Sequence, residues 1–189
     1  FAAYSPASVR EQAEISYSLE YGVEMENYTV DTDPDKHYDL MFSHRTIDQR
    51  KEDMAVDTPD PYDGVQIVFE HVLSAIVFHV QADRDYSDWG YNVHLTNLSV
   101  HNVYSTADFR QFAGKESNEV DIAGMWTGYE GKQEYVAFHA DSDDSIMHDQ
   151  DADLILLPQT LDGDGGEPVR MELCFDMSHP DMGGKKTSH

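Results

Sequence analysis

The sequence predicts an all-β protein of sandwich architecture, and three observations carry that reading. Short runs alternate apolar and polar residues at the two-residue period of half-buried strands, turn residues punctuate them at short intervals, and no segment keeps a long helical period. A chain of 189 residues with 40% hydrophobic and 11% aromatic residues has the material to bury a core, in one large domain or two small lobes.

Val9–Ala13 is expected to start a short helix. Ile15, Tyr17, Leu19 and Tyr21 then alternate up to Gly22, a first strand; Val23, Met25 and then Tyr28, Val30 form a second, ending in the acidic turn Asp31–Asp35. Leu40–Phe42 is a short apolar patch. The polar stretch 45–64, with Pro59 and Pro61, reads as a long loop and as the place where a lobe boundary would fall. After the apolar segment Val65–Val80 and the polar turn Gln81–Gly90, Tyr91, Val93 and Leu95 alternate, and Leu98, Val100 and Val103 continue with shifted parity. Asp108–Phe112 is expected to be a second short helix. Tyr135, Ala137 and His139 alternate against Val136 and Phe138, Leu154–Leu157 runs apolar until Pro158, and Val169–Phe175 closes the series. There is no internal repeat.

Val65–Val80 is the most apolar and most patterned segment, so the core is expected to nucleate there. Val65, Ile67, Phe69, His71 and Leu73 share one parity, whereas Ile76, Phe78 and Val80 share the other. A slip of one residue turns every later side chain to the opposite face. The segment is therefore predicted to be two strands joined by a jog at Val72–Ala75, either a bulge or a crossing between sheets. His71 is expected to be a buried, hydrogen-bonded imidazole that holds the bulge.

Charge excludes several classes of function. With 37 acidic residues against 12 basic ones the formal net charge is -25, which disfavours nucleic acid and anionic membranes as partners. Cys174 is the single cysteine; without a partner for an intramolecular disulfide, it is expected to be a small buried hydrophobe. Asp31-x-Asp33-x-Asp35 imitates the start of a calcium loop, but the sixth and twelfth positions hold Lys36 and Phe42 where glycine and glutamate are needed. It reads as a solvated acidic turn, and the acidic runs at 141–144 and 149–153 carry still less geometry. Ten histidines provide neither H-x-H nor H-E-x-x-H spacing, so no metal or other cofactor is expected. There is no nucleophile elbow and no phosphate-binding glycine loop, nothing selects a carboxylate pair, and the chain is expected not to be an enzyme. Trp89, Tyr91, Trp126 and Tyr129 either cap the ends of the sandwich or stack on sugars, with Trp89 and Trp126 the candidate glycan residues. Asn27-Tyr-Thr29 and Asn97-Leu-Ser99 match the glycosylation sequon.

Several segments, in order, resemble the fimbrillin-like proteins, subunits of type V pili in Gram-negative gut and oral anaerobes. The pattern Phe69-x-His71-x-Leu73-Ser74-x-Ile76-x-Phe78-x-Val80 is similar to a signature of that family. So are Phe1-Ala-Ala-Tyr-Ser-Pro6, Asp39-Leu-Met-Phe42, the Val93–Val103 run and Leu156-Leu-Pro-Gln-Thr160. The resemblance implies transthyretin-like, Greek-key β-sandwich architecture over 1–178, with 179–189 a flexible tail. It implies an exported, outer-membrane lipoprotein at the cell surface, with other pilus subunits as partners through strand exchange. Phe69, His71, Leu73, Ile76, Phe78 and Val80 would then floor the assembly groove. Against the family's pattern, a lipid-attachment cysteine and an upstream strand would be expected ahead of Phe1, and a further C-terminal strand where this sequence stops. The expected function is that of a structural pilus subunit or adhesin, with host or bacterial glycans or proteins as further partners. The alternative is a non-catalytic carbohydrate-binding surface module.

Overall fold

Alternation in the sequence becomes antiparallel strands joined by 3-10 turns of three to five residues. The structure, a computed structural model, describes residues 2–44, 67–111, 122–140, 150–162, 166–182 and 187–188. The expected lobe boundary in 45–64, Val65 and the acidic run 141–144 lie outside the described residues. The strands are β1 (Tyr4–Ser5), β2 (Glu14–Ser18), β3 (Gly22–Thr29), β4 (Met41–Ser43), β5 (Phe69–His71) and β6 (Ser74–Val80). After them come β7 (Asn92–Arg110), β8 (Trp126–His139), β9 (Gln150–Leu156), β10 (Arg170–Ser178) and β11 (Thr187–Ser188). The fold is all-β, with sandwich-like packing of antiparallel sheets.

The chain divides into two compact units. The first comprises Phe1–Thr29, Tyr38–Ser74 and Thr106–Tyr129; the second comprises Val30–His37, Ala75–Ser105 and Glu130–His189. In the first unit the sheet β1-β4-β5 faces strands β2 and β3 and the last residues of β7. Phe42 of β4 stacks on Phe109 of β7 with ring centroids 4.1 Å apart, and Trp126 meets Phe109 edge-on at 4.9 Å. Val9, Val23, Met25, Tyr28, Leu40 and Val72 are buried with them. Gln111 ties the two layers of this unit together. Its side-chain oxygen accepts from the Val23 amide at 2.9 Å, and its side-chain nitrogen donates to the Ser43 carbonyl at 2.5 Å. A buried amide with both ends satisfied is stabilising, whereas a half-satisfied one would cost more than an apolar side chain.

In the second unit the first residues of β7 pair with β10, β10 pairs with β11, and β6 pairs with β9. Leu95, Leu98, Val100, Val103, Tyr135, Leu154, Leu156 and Leu157 are buried. The Tyr135 hydroxyl donates to the Val30 carbonyl at 3.3 Å, and burial pushes its pKa up to about 12. His37 is a second bridge: Nδ1 accepts from the Ile155 amide at 3.1 Å, which leaves Nε2–H to donate to the Asp31 carbonyl at 2.8 Å. Gln159 takes the place of a neighbouring strand. Its side-chain oxygen accepts from the Tyr104 amide at 2.9 Å, while its nitrogen donates to the Tyr104 carbonyl at 3.3 Å.

Each change of parity in the strands has a local cause. Cys174 lies opposite Asn97 and Phe175 opposite Leu95, so Thr96 is an extra residue on β7 and the buried set passes from Leu95 to Leu98. Asn102 has φ of 64°, and beyond it the buried set moves to Val103, Ser105, Ala107 and Phe109. On β3, Met25 faces Phe109 and Tyr28 faces Ala107, which leaves one residue in excess there. Asn27 absorbs it at φ of 53°, a left-handed conformation that asparagine tolerates better than most residues, and its amide donates to Asp108 at 2.9 Å.

Several expectations need correcting. Val9 does sit in a short helical turn, a 3-10 turn over Ala7–Glu11, but Asp108–Arg110 belong to β7 instead of starting a helix. Leu19 and Tyr21 lie beyond β2, because the chain turns there to pair β2 with β3. Cys174 is half-buried, not buried. The core does not centre on Val65–Val80: Val72 is the fully buried side chain of its described residues, and Ile76, Phe78 and Val80 are only half covered. The strands that bury most, β3 and β7, each have neighbours on both sides, whereas β6 has β9 alone among the described residues.

Candidate functional site

The predicted jog occurs at Val72–Leu73, where the chain leaves β5 in one sheet and enters β6 in another. Val72 anchors it: its amide donates to the Leu40 carbonyl at 3.0 Å, and its carbonyl accepts the Trp126 indole N–H at 2.8 Å. His71 is satisfied but not buried. Its imidazole sits in the open, 2.7 Å from the Asp39 carboxylate, on the strand that is outermost in its sheet among the described residues.

Phe69, His71 and Leu73 belong to the first unit; Ile76, Phe78 and Val80 belong to the second. Phe69, paired with Ser43, is 40% exposed. On β6 the alternation is regular. Ile76, Phe78 and Val80 share a half-covered face, and Val77, 72% exposed, lies on the other. Among the described residues β6 and β9 form a sheet of two strands, and the outer edge of such a sheet is where a further strand can pair.

The two tryptophans have opposite surroundings. Trp126 is 3% exposed, packed against Tyr28 and Phe109, with its N–H engaged by Val72. It is a core residue with no ring face for a sugar, which removes it as a glycan candidate. Trp89 is 55% exposed. It ends a 3-10 turn, Ser87–Trp89, that opens beside a cleft of about 520 Å³ lined by Gln81, Asp83, Arg84, Tyr86, Tyr91 and Asn92 among others.

Local hydrogen bonds build this loop. Asp83 accepts from the Tyr86 hydroxyl at 2.6 Å and from Arg84 Nε at 3.0 Å. Those two donors hold its carboxyl below the usual aspartate range, and the same bond raises the Tyr86 phenol. Arg84 lies over the Trp89 ring, 5.4 Å from its centroid, and Tyr86 meets that ring edge-on at 6.0 Å. Gly90 closes the turn at φ of 78°, and a Cβ there would come within 2.9 Å of His179 Nε2. The missing side chain lets His179 pack against Tyr91 at a tilt, with ring centroids 4.6 Å apart, and donate to the Trp89 carbonyl at 3.2 Å. Reading Gln81–Gly90 only as a polar turn misses this construction. The available signal was Asp83 and Tyr86 three residues apart, followed by glycine after an aromatic.

The acidic turn Asp31–Asp35 is internally satisfied. Asp31 accepts from the Asp33 amide, Asp33 caps the following turn, and Lys36 Nζ reaches Asp33 at 3.1 Å and Asp31 at 3.9 Å, standing where a cation would. Among the described residues, no three His, Cys, Asp or Glu side chains are arranged to hold a metal ion. Desolvation and the adjacent Glu172 carboxylate raise the Cys174 thiol, the opposite of what a nucleophile needs.

Comparison with known proteins gives one family. The family model described as fimbrillin-like matches residues 1–186. A crystal structure of a candidate cell adhesion protein from Bacteroides uniformis is similar, with a TM-score of 0.45 and 20% identity. The alignment covers 100% of this chain and 57% of that one. No curated protein matches the chain.

Proposed function

The chain belongs to the fimbrillin-like family, and we propose that it serves as a structural subunit or adhesin of a cell-surface pilus. The family match over residues 1–186 is the observation that carries this reading. The proposal extends to export, lipid anchoring at the outer membrane, and assembly by a strand donated from a neighbouring subunit. The edge of β6 supports that mechanism. A donated strand needs a sheet edge beside a partly covered apolar face; among the described residues β6 pairs with β9 alone, and Ile76, Phe78 and Val80 form a half-covered face on it. Phe69 on the edge strand β5 offers a second exposed apolar position. No step of this role needs catalysis.

The test compares two faces of one strand. Phe78→Asp places a charge on the half-covered face of β6, and Val77→Asp places the same charge on the exposed face. Each variant is expressed in a pilus-forming host and scored for incorporation into fibres by immunogold microscopy, with folding checked by circular dichroism. The expected result is that the Phe78 variant folds but stays out of fibres, while the Val77 variant enters them normally. Equal incorporation of both would overturn strand donation at this edge.

A further inference from the structure

We propose that the cleft beside Trp89 is a binding site for a neutral saccharide, a recognition function separate from assembly and independent of it. The Trp89 ring is 55% exposed yet held in place: its carbonyl bonds to His179 and its turn is closed by backbone bonds to Tyr86 and Ser87. Arg84 lies over the ring and Tyr86 meets it edge-on, yet more than half of the residue stays exposed. The electron-rich face of an indole attracts the weakly positive C–H edge of a sugar ring, and a platform fixed in advance avoids the ordering cost of binding. Trp89 does not itself line the cleft of about 520 Å³ beside this turn, but Arg84 and Tyr86, which flank its ring, do. The cleft has the size of a small-ligand pocket, with the hydroxyl and amide side chains of Tyr91, Ser87, Asn92 and Gln81 on its wall. Hydroxyls and amides both donate and accept, as a sugar's own hydroxyls require.

Charge selects the ligand class. Asp83, Asp85 and Asp88 outnumber Arg84 on this loop, and the whole chain carries -25, so an acidic sugar is repelled. Asp85 and Asp88 would draw a cationic ligand to the loop, but the ring already lies beside a guanidinium and Asp83 is already bonded to Arg84 and Tyr86, so a cation has no free platform there. A neutral sugar meets neither obstacle.

The molecule carries its own control, because each of its two tryptophans contributes one indole N–H signal and Trp126 is buried in the other unit. The full chain, labelled with ¹⁵N, is titrated with glucose, galactose, mannose, N-acetylglucosamine and their β-linked dimers, and in parallel with sialic acid and a lysine peptide. At least one neutral saccharide should shift the Trp89 signal saturably and leave that of Trp126 in place. Trp89→Ala should weaken binding about tenfold or more, and Asn92→Ala measurably, with melting temperatures unchanged. If Trp89→Ala does not fold, Asn92→Ala, at the exposed start of β7, carries the test. The proposal is overturned if no neutral saccharide moves the Trp89 signal, if both variants bind like the parent, or if only sialic acid or the peptide binds.

Discussion

Two glutamines show how single side chains do structural tasks that the apolar pattern cannot reveal. Gln111 and Gln159 each use both ends of an amide to satisfy backbone groups that no strand reaches. Replacing Gln111 by alanine orphans the Val23 N–H and the Ser43 carbonyl; each buried, unpaired group costs about 1–3 kcal/mol, and urea denaturation should show a loss in that range or somewhat above it. In the sequence Gln111 looks like any polar residue near a strand end, because its partners lie 88 and 68 positions away. Gln159 stands in the sequence as one residue of the family-like segment Leu156–Thr160, and nothing near it in sequence marks its task. The burial of Trp126 is hidden for the same reason: it packs on Phe109 and Tyr28 and donates to the Val72 carbonyl, all distant in sequence.

At the level of elements the sequence was far more legible. Period-two alternation locates most of the strands, and its parity slips mark real irregularities: the sheet crossing at Val72–Leu73, the extra residue at Thr96 and the left-handed backbone at Asn102 within β7. What alternation does not encode is how many neighbours a strand acquires. Val65–Val80 therefore looked like the centre of the core, although β6 is half covered. Asp108–Arg110 looked helical because it was read apart from its pairing with Glu24 and Met25 of β3. The bulge at Asn27 makes a sharp prediction. Asn27→Val forces a β-branched residue into φ of 53° and should cost about 1–2 kcal/mol, whereas Asn27→Gly should lie within about 0.5 kcal/mol of the parent, both read from thermal or chemical denaturation.

On the scale of the whole molecule, the two units interleave along the chain. The backbone passes from one to the other after Thr29, His37, Ser74, Ser105 and Tyr129, and β7 and β8 each contribute residues to both. Neither unit can therefore finish its sheets while the other is open, and they should melt together. The indole signals of Trp126 in the first unit and Trp89 in the second offer one probe for each; on heating, both should vanish in a single coincident transition, and separate midpoints would refute this coupling. The same interleaving matters under mechanical load. A string of independent beads lengthens by popping open one at a time, each acting as a fuse for the next. Here a pull that loosens either unit tugs on strands of the other, so the protein should yield as one link, at one force, without partial slack.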